Sequence, residues 1–201
     1  MADQSSNRTR PPDLDFAIPV IDIAPYLAAS SPDTISPIVA QIREAAISPG
    51  FFQITGHAIP APLRDRLFSA IKDFFALPQE VKASLHRNRS TCLRGYEGPG
   101  DQVIEEGVLD QKEGFIIAPE KDAATEGLRY GQGPNQWPDE AACPGFRATL
   151  MEYFDEMTAL SRVLFRLIAL GLSLEEGSFD EFVYHPDGGF FLQARAGWDQ
   201  T

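Results

Sequence analysis

The stretch FRATLMEYFDEMTALSRVLFRLIALG, residues 146–171, carries the strongest structural signal in the chain. Its apolar residues return at helical spacing for about seven turns, at Phe146, Leu150, Tyr153/Phe154, Met157, Leu160, Leu164 and Leu167/Ile168. This spacing predicts one long amphipathic helix with a wide apolar face. Because such a face must be buried against a large surface, a β-sheet is its expected partner.

Shorter elements are predicted upstream of this helix. Alternating or β-branched runs predict strands at residues 18–23, 50–55 and 113–120. Apolar spacing predicts helices from Ile35 to Pro49, from Pro62 to Leu77 and from Gln79 to His86. Residues 87–101 are expected to form a loop, and residues 121–145 a long surface connection rich in Gly and Pro. The predicted strands are few for the sheet that the long helix requires.

Composition excludes several classes of protein. The 201 residues are 43% hydrophobic, which is enough for a core, and the formal net charge of −12 disfavours binding to nucleic acid or to an anionic membrane. Cys92 and Cys143 are too few and too widely separated for a disulfide framework, so we expect reduced, buried thiols. The polar residues 1–15 are expected to be disordered, and because they lack a signal peptide the expected location is the cytoplasm.

Two common catalytic and cofactor-binding motifs are not matched by this sequence. The glycine-rich GYEGPG, residues 95–100, has the wrong order for a dinucleotide-binding loop, and no Gly-x-Ser-x-Gly nucleophile elbow is present. We interpret His57 and His86 as structural or exposed histidines, since most histidines are neither ligands nor catalysts.

The sequence His185-Pro186-Asp187 has the His-x-Asp form that supplies two of the three ligands in non-haem iron oxygenases. A working pair needs both side chains on one face of a strand. Pro186 would remove a ladder N–H group, and Pro-Asp-Gly-Gly is typical of a tight turn. We therefore favour a turn, and we expect neither a metal ligand nor a catalytic residue in this segment.

Several stretches resemble, in order, the N-terminal region of the isopenicillin N synthase-like Fe(II)/2-oxoglutarate-dependent dioxygenases. They are IPVIDIAPYL, REAAISPGFFQITGHAIP, FFALPQEVKASL, RGYEGPG, KEGFIIAPE, GPNQWPDE and the long helix, and the match runs over roughly residues 18–183. The resemblance implies an α+β chain forming the helical and strand N-terminal portion of a double-stranded β-helix, or jelly roll, with the long helix outside the major sheet. It also implies Fe(II) and 2-oxoglutarate as cofactors and a small-molecule substrate of specialised metabolism.

The chain departs from the family pattern at its end. The family holds iron through His-x-Asp and a distal His, and 2-oxoglutarate through an Arg-x-Ser, yet no His follows His185 and no Arg-x-Ser follows it. We therefore expect most of the jelly roll to be missing, neither cofactor to bind this chain alone, and the chain to be truncated and inactive by itself. The rival hypothesis is a non-catalytic interaction protein that docks a protein partner on the exposed face of the 146–171 helix.

The resemblance also suggests substrate-binding residues. It implies that Arg94 holds a substrate carboxylate and that Tyr96 lines the same pocket, whereas the alternative is a solvated loop arginine and a packing tyrosine. Lys112-Glu113 is expected to form a local ion pair or to pack at a strand start, and Trp137 to anchor the long connection. The expected domains are a disordered 1–15, a dioxygenase N-terminal domain at 16–120, the connection and helix at 121–183, and a divergent tail at 184–201.

Overall fold

The computed structural model describes residues 17–29, 31–105, 107–183 and 192–197. Its helices are α1 (Ala24–Leu27), α2 (Pro32–Ile47), α3 (Ala61–Phe75), α4 (Gln79–Ser84), α5 (Phe146–Gly171) and α6 (Asp180–Val183). Its strands are β1 (Val20–Asp22), β2 (Gln53–Thr55), β3 (Gly95–Glu97), β4 (Val103–Glu105), β5 (Val108–Leu109), β6 (Lys112–Ile117) and β7 (Leu192–Gly197). The long helix predicted at 146–171 is confirmed, as are the other predicted helices and strands with somewhat different ends.

The described residues divide into two compact units. The first contains the residues up to His57 together with Leu167–Glu175. Here β1 and β2 pair in parallel, and Ile38, Ile42 and Ala45 of α2 are buried. Gly56 turns the chain after β2 with φ +66°, and a Cβ atom there would lie 2.1 Å from the Asp22 carboxylate. A side chain is therefore excluded at this turn by both backbone conformation and space.

The second unit contains Ala58–Arg166 and the described residues from Glu176 onward. It is built on an antiparallel sheet with the strand order β3-β6-β7. Strands β4 and β5 form a separate two-stranded hairpin. The prediction of a loop at 87–101 is wrong in part, because a 3₁₀ turn occupies Arg87–Arg89 and β3 follows it. A three-residue strand that begins with Gly95 is too short to show an alternating pattern.

The core of the second unit lies between this sheet and the long helix. The rings of Phe74, Phe115 and Phe146 meet with centroids 4.7 to 5.1 Å apart. The other buried members of the same cluster are Leu67, Tyr96, Ile117, Cys143, Leu150 and Phe154. The prediction that the apolar face of the long helix packs on a sheet is therefore confirmed for its first part, at Phe146, Leu150 and Phe154.

The connection at 121–145 contains neither a helix nor a strand, as predicted, and polar contacts fasten it to the unit. Asn135 is buried and exchanges hydrogen bonds of 3.0 and 2.8 Å with the backbone of Ala118. The Trp137 indole N–H donates to Glu120 at 2.8 Å, and the ring lies beside Phe115 and Phe146. Trp137 therefore anchors the connection. Cys92 and Cys143 are both buried and are not joined in a disulfide.

Strand β7 was not predicted from the sequence. It pairs with the whole of β6, from Lys112 opposite Gly197 to Ile117 opposite Leu192. The turn predicted at His185-Pro186-Asp187 and the disorder predicted for residues 1–15 lie outside the described residues. In the described part of the chain, no helix combines the length and the apolar character that crossing a membrane requires.

Candidate functional site

The β3-β6-β7 sheet has two chemically different faces. Side chains alternate along a strand, so residues paired opposite one another share a face. Tyr96, Phe115 and Ala194 are paired in register, and their face joins the aromatic core under α5. Glu97 and Gly114 are paired on the opposite face, which we call the polar face. The polar face is therefore the side of the sheet turned away from the long helix.

A buried ion pair crosses from α4 to the helix-covered face. Lys82 and Glu113 are 5% and 2% exposed, and the Lys82 Nζ atom lies 2.6 Å from a Glu113 carboxylate oxygen. The same oxygen accepts a 2.5 Å hydrogen bond from the Tyr96 hydroxyl. Lys82 also donates to the backbone carbonyl of Phe75 at 3.1 Å. Burial, helped by the bond to Glu113, raises the pKa of Tyr96 to about 12.

Lys112 and Glu113 do not pair with each other but begin β6, as the strand-start alternative expected. Neighbouring residues in a strand point to opposite faces. Glu113 pairs with Lys82 on the helix-covered face, whereas Lys112 bonds Asp110 and the side-chain oxygen of Gln102 on the other. Lys112 and Glu113 thus form separate ion pairs on opposite faces of the sheet.

Tyr96 and Arg94, the predicted substrate-binding residues, both lie inside the second unit. Tyr96 is 1% exposed and packs in the core cluster, as the packing alternative expected. Arg94 is 3% exposed, so the alternative of a solvated loop arginine is wrong. The Arg94 guanidinium donates to the carbonyl oxygen of Gly131 at 2.6 Å and more weakly to that of Cys92 at 3.4 Å.

These contacts indicate a structural role for Arg94, because Gly131 belongs to the connection at 121–145. Burial lowers the pKa of Arg94, although the neighbouring Cys92 thiol opposes the shift. The carbonyl of Arg94 itself accepts a 2.6 Å hydrogen bond from the side chain of Gln136. Arg94 thus ties the connection to the start of β3, and a substrate-binding role for Arg94 and Tyr96 stays a prediction.

A cluster of polar side chains surrounds Glu97 on the polar face. Glu97 is 1% exposed, and one of its carboxylate oxygens accepts from Arg87 at 2.7 Å and from Gln102 at 2.6 Å. Its other oxygen accepts from Gln193 of β7 at 3.2 Å. We call Arg87, Glu97, Gln102 and Gln193 the Glu97 cluster. Sequence reasoning missed it, because GYEGPG was considered as a glycine-rich loop and a family motif, and Glu97 was not singled out.

Gly114 gives the Glu97 cluster room at the centre of the sheet. A Cβ atom on Gly114 would lie 3.1 Å from the Gln193 amide nitrogen and 3.5 Å from the Glu97 carboxylate. The glycine therefore lets Gln193 reach across the central strand to Glu97, which is a reason for glycine inside a strand.

His86 makes two hydrogen bonds that define its tautomer. Its Nδ1 atom accepts from the backbone N–H of Asn88 at 3.2 Å, and its Nε2 atom lies 2.8 Å from an Asp101 oxygen. A ring nitrogen that accepts carries no proton, so Nε2 bears the hydrogen and donates it to Asp101. The structural interpretation of His86 agrees with this geometry. His57 is half-buried in the segment between β2 and α3.

The described residues do not fit an iron centre. Among residues 17–29, 31–105, 107–183 and 192–197, no group of three or more His, Cys, Asp and Glu could hold a metal ion. His86 faces one carboxylate, and a backbone N–H already occupies its Nδ1 atom. His185 and Asp187 lie outside the described residues. We therefore derive no chemical step through iron from these side chains.

Comparisons with known proteins place this fold in a family. A family model described as "non-haem dioxygenase in morphine synthesis N-terminal" matches residues 18–140. The chain therefore belongs to the non-haem, 2-oxoglutarate-dependent dioxygenase family and corresponds to the N-terminal region of its members. The family resemblance inferred from the ordered motifs is thus confirmed.

Individual relatives agree with this assignment. The chain is 35% identical over 166 residues to the 2-oxoglutarate-dependent dioxygenase caaD of Aspergillus niger, a match that covers 82% of this chain and 51% of caaD. It is 39% identical over 171 residues to the 2-oxoglutarate-Fe(II) type oxidoreductase hxnY of Emericella nidulans, covering 82% of this chain and 48% of hxnY. The chain thus spans about half the length of the curated relatives it matches.

A solved structure from Neurospora crassa shows the same arrangement of elements. This full-length protein, which we call the Neurospora protein, was crystallised in complex with alpha-KG. It aligns with a TM-score of 0.74 and 28% identity, covering 91% of this chain and 55% of the Neurospora protein. The α+β fold observed here is therefore shared with 2-oxoglutarate oxygenases of the jelly-roll class.

Proposed function

We propose that this chain supplies the N-terminal frame of an Fe(II)- and 2-oxoglutarate-dependent dioxygenase that oxidises a small molecule. The alignment with the Neurospora protein over 91% of this chain carries the proposal, because the structure of that relative contains alpha-KG. Fe(II) with 2-oxoglutarate supplies the activation of dioxygen when both are bound, and the protein orients the reagents and shields them from water.

The sheet geometry suggests how this frame contributes. In the family that the chain resembles, the long helix packs on the outside of the major sheet. The polar face of β3-β6-β7 is turned away from α5, so we infer that it faces the interior of the jelly roll. There the Glu97 cluster presents charged and amide groups, and small-molecule sites use a few such polar groups to fix orientation.

We further propose that the substrate belongs to specialised metabolism. The relatives include the clavatol oxidase claD of Penicillium crustosum, which is 35% identical over 181 residues. They also include several fungal 2-oxoglutarate-dependent dioxygenases, and the Neurospora protein has been solved with 5-formyluracil bound. These names support a small organic molecule as the class of substrate.

We also propose that the 201-residue chain does not turn over 2-oxoglutarate by itself. The family's iron site needs two histidines and a carboxylate. The sequence has three histidines, and His86 is engaged with Asp101 and the Asn88 backbone. Within the described ranges, no group of three or more His, Cys, Asp and Glu could hold a metal ion. The alternative of a non-catalytic interaction protein draws no support from the relatives, and we do not propose it.

A chimera tests the function of the frame. Residues 1–183 of this chain would be fused to the part of caaD that follows its matched region, and succinate formation from 2-oxoglutarate would be measured with and without Fe(II). We expect iron-dependent succinate formation by the chimera. A chimera with a cooperative thermal transition and without iron-dependent succinate would contradict the proposal.

A further inference from the structure

Arg87 is held in a fixed orientation by a carboxylate that water does not reach. Its Nη1 atom donates to Glu97 at 2.7 Å, and the Glu97 side chain is 2% exposed. Gln102 and Gln193 donate to the same carboxylate, so Glu97 itself is held from three sides. A guanidinium fixed in this way binds a ligand with little further loss of side-chain freedom.

The Arg87 guanidinium keeps N–H groups that the ion pair does not use. Arginine has five N–H donors in a planar fork, and the Arg87 side chain is 27% exposed. Within the described parts of the chain, Glu97 is the side-chain partner of this guanidinium. Its remaining donors can therefore reach a hydrogen-bond acceptor that arrives from solvent.

An apolar surface begins directly beside this guanidinium. Gln102 bonds the same Glu97 oxygen as Arg87, so the two donor nitrogen atoms lie within a few ångströms of each other. The hairpin β4–β5 starts at the next residue and exposes four large apolar side chains by 48% to 66%, namely Val103, Ile104, Val108 and Leu109. Exposed apolar side chains next to convergent polar groups are typical of a ligand site.

The base of the hairpin is fastened, so this surface has a defined place. The backbone N–H of Gly100 donates to Asp110 at 2.7 Å, and that of Asp110 donates to Gln102 at 2.8 Å. Lys112 joins the side chain of Gln102 at 2.8 Å and also bonds Asp110. These contacts hold the apolar hairpin in continuity with the Glu97 cluster.

The charges around Arg87 favour a neutral ligand. Arg87 is balanced by Glu97, and Lys112 is balanced by Asp110. The whole chain has a formal net charge of −12, which repels anions at long range. A guanidinium whose charge is already compensated still donates hydrogen bonds, and a neutral carbonyl oxygen accepts them without adding a negative charge.

We propose that Arg87 and the β4–β5 hairpin form a subsite for a neutral small molecule in which a carbonyl group adjoins an apolar ring or chain. This inference deepens the proposed dioxygenase function and rests on it for its biological meaning. Arg87 binds the carbonyl, Glu97 positions Arg87, and the hairpin covers the apolar part.

The test measures binding without iron, so that its outcome is independent of turnover. Acetophenone, a neutral ketone, and benzoate, an anion of similar shape, would be titrated into the 201-residue chain with labelled Ile, Leu and Val methyl groups. We expect saturable methyl shifts at Val103, Ile104, Val108 and Leu109 with acetophenone, and weaker binding of benzoate. Absence of saturable shifts at these methyl groups, or tighter binding of benzoate, would overturn the proposal.

Two variants separate the polar and apolar parts of the subsite. Arg87→Lys keeps the charge beside Glu97 and loses the planar fork, so we expect acetophenone to bind about tenfold more weakly. Arg89→Lys is the matched control, since Arg89 is exposed in the same turn. Val108→Thr should also weaken binding, whereas Val20→Thr, at an exposed valine of β1, should not. The assigned subsite would be contradicted if Arg89→Lys weakened acetophenone binding as much as Arg87→Lys, or if Val20→Thr weakened it as much as Val108→Thr.

Discussion

At the scale of single residues, the Lys82–Glu113 pair shows how a buried charge depends on its partner. Both side chains are almost fully buried, so each has lost its contact with water. Their 2.6 Å contact and the hydrogen bonds from Tyr96 and to Phe75 offset that loss. Removing one partner would leave the other charge buried and uncompensated.

Lys82→Met should therefore lower the free energy of unfolding by about 3–5 kcal/mol. Urea denaturation would measure the loss. Arg66→Met is the matched control, because Arg66 pairs with Glu152 at the surface with both side chains about half exposed, and its loss should stay within about 1 kcal/mol.

Adding Glu113→Gln to Lys82→Met should recover part of the lost stability. The glutamine removes the buried negative charge and keeps an oxygen that can accept from the Tyr96 hydroxyl. If the double variant is less stable than Lys82→Met alone, an uncompensated charge is not the cause of the loss.

The raised pKa of Tyr96 predicts that the stability of the fold depends on pH in the alkaline range. Its pKa is raised to about 12 from an ordinary value of 10, so the folded state holds the phenolic proton more tightly than the unfolded state. The stabilisation is complete below pH 10 and is lost as the pH rises from 10 to about 12. The stability difference between the protein and Tyr96→Phe should therefore shrink across this interval. A difference that stays constant in pH-dependent urea titrations would refute the assignment.

At the scale of secondary-structure elements, length and locality decide what the sequence predicts. Helix α5 is predicted in full because apolar residues recur at one helical spacing over its 26 residues and therefore lie on one face. Strand β3 has three residues and begins with a glycine, so its pattern carries no periodic signal. Strand β7 forms against β6, about eighty residues earlier in the chain, and a local pattern does not reveal such a partner.

The candidate site follows the same rule. The Glu97 cluster joins residues from the 3₁₀ turn at Arg87–Arg89, from β3, from the start of the hairpin and from β7. Strand pairing brings the donors of the Glu97 cluster together, so no single stretch of sequence predicts the cluster. The alternative of a solvated Arg94 was wrong for a similar reason, since Arg94 is buried against Gly131 in the distant connection.

The connection at 121–145 should loosen when Arg94 is shortened. Arg94→Lys loses the guanidinium bonds to the carbonyls of Gly131 and Cys92, and we expect a loss of about 1–3 kcal/mol. Limited trypsin digestion should then cut the connection at Arg129 faster. Arg89→Lys, at an exposed position, serves as the control. An unchanged digestion rate in Arg94→Lys would favour the substrate-binding interpretation of Arg94 over the structural one.

At the scale of the whole molecule, the ordered motifs were more informative than any local pattern. Short motifs in a fixed order between residues 18 and 183 predicted the family, and the family model and the alignment with the Neurospora protein agree. They did not predict the chemistry of the polar face, because several side chains on that face come from segments outside the shared motifs. Gln102 and Gln193, for example, belong to none of them.

The most direct measurement of the central claim is succinate release from 2-oxoglutarate by the 201-residue chain and by the caaD chimera, side by side, with Fe(II) and ascorbate. The account predicts iron-dependent succinate from the chimera and no more succinate from the 201-residue chain than from a protein-free control. Iron-dependent succinate release by the 201-residue chain alone, abolished by a chelator, would contradict it.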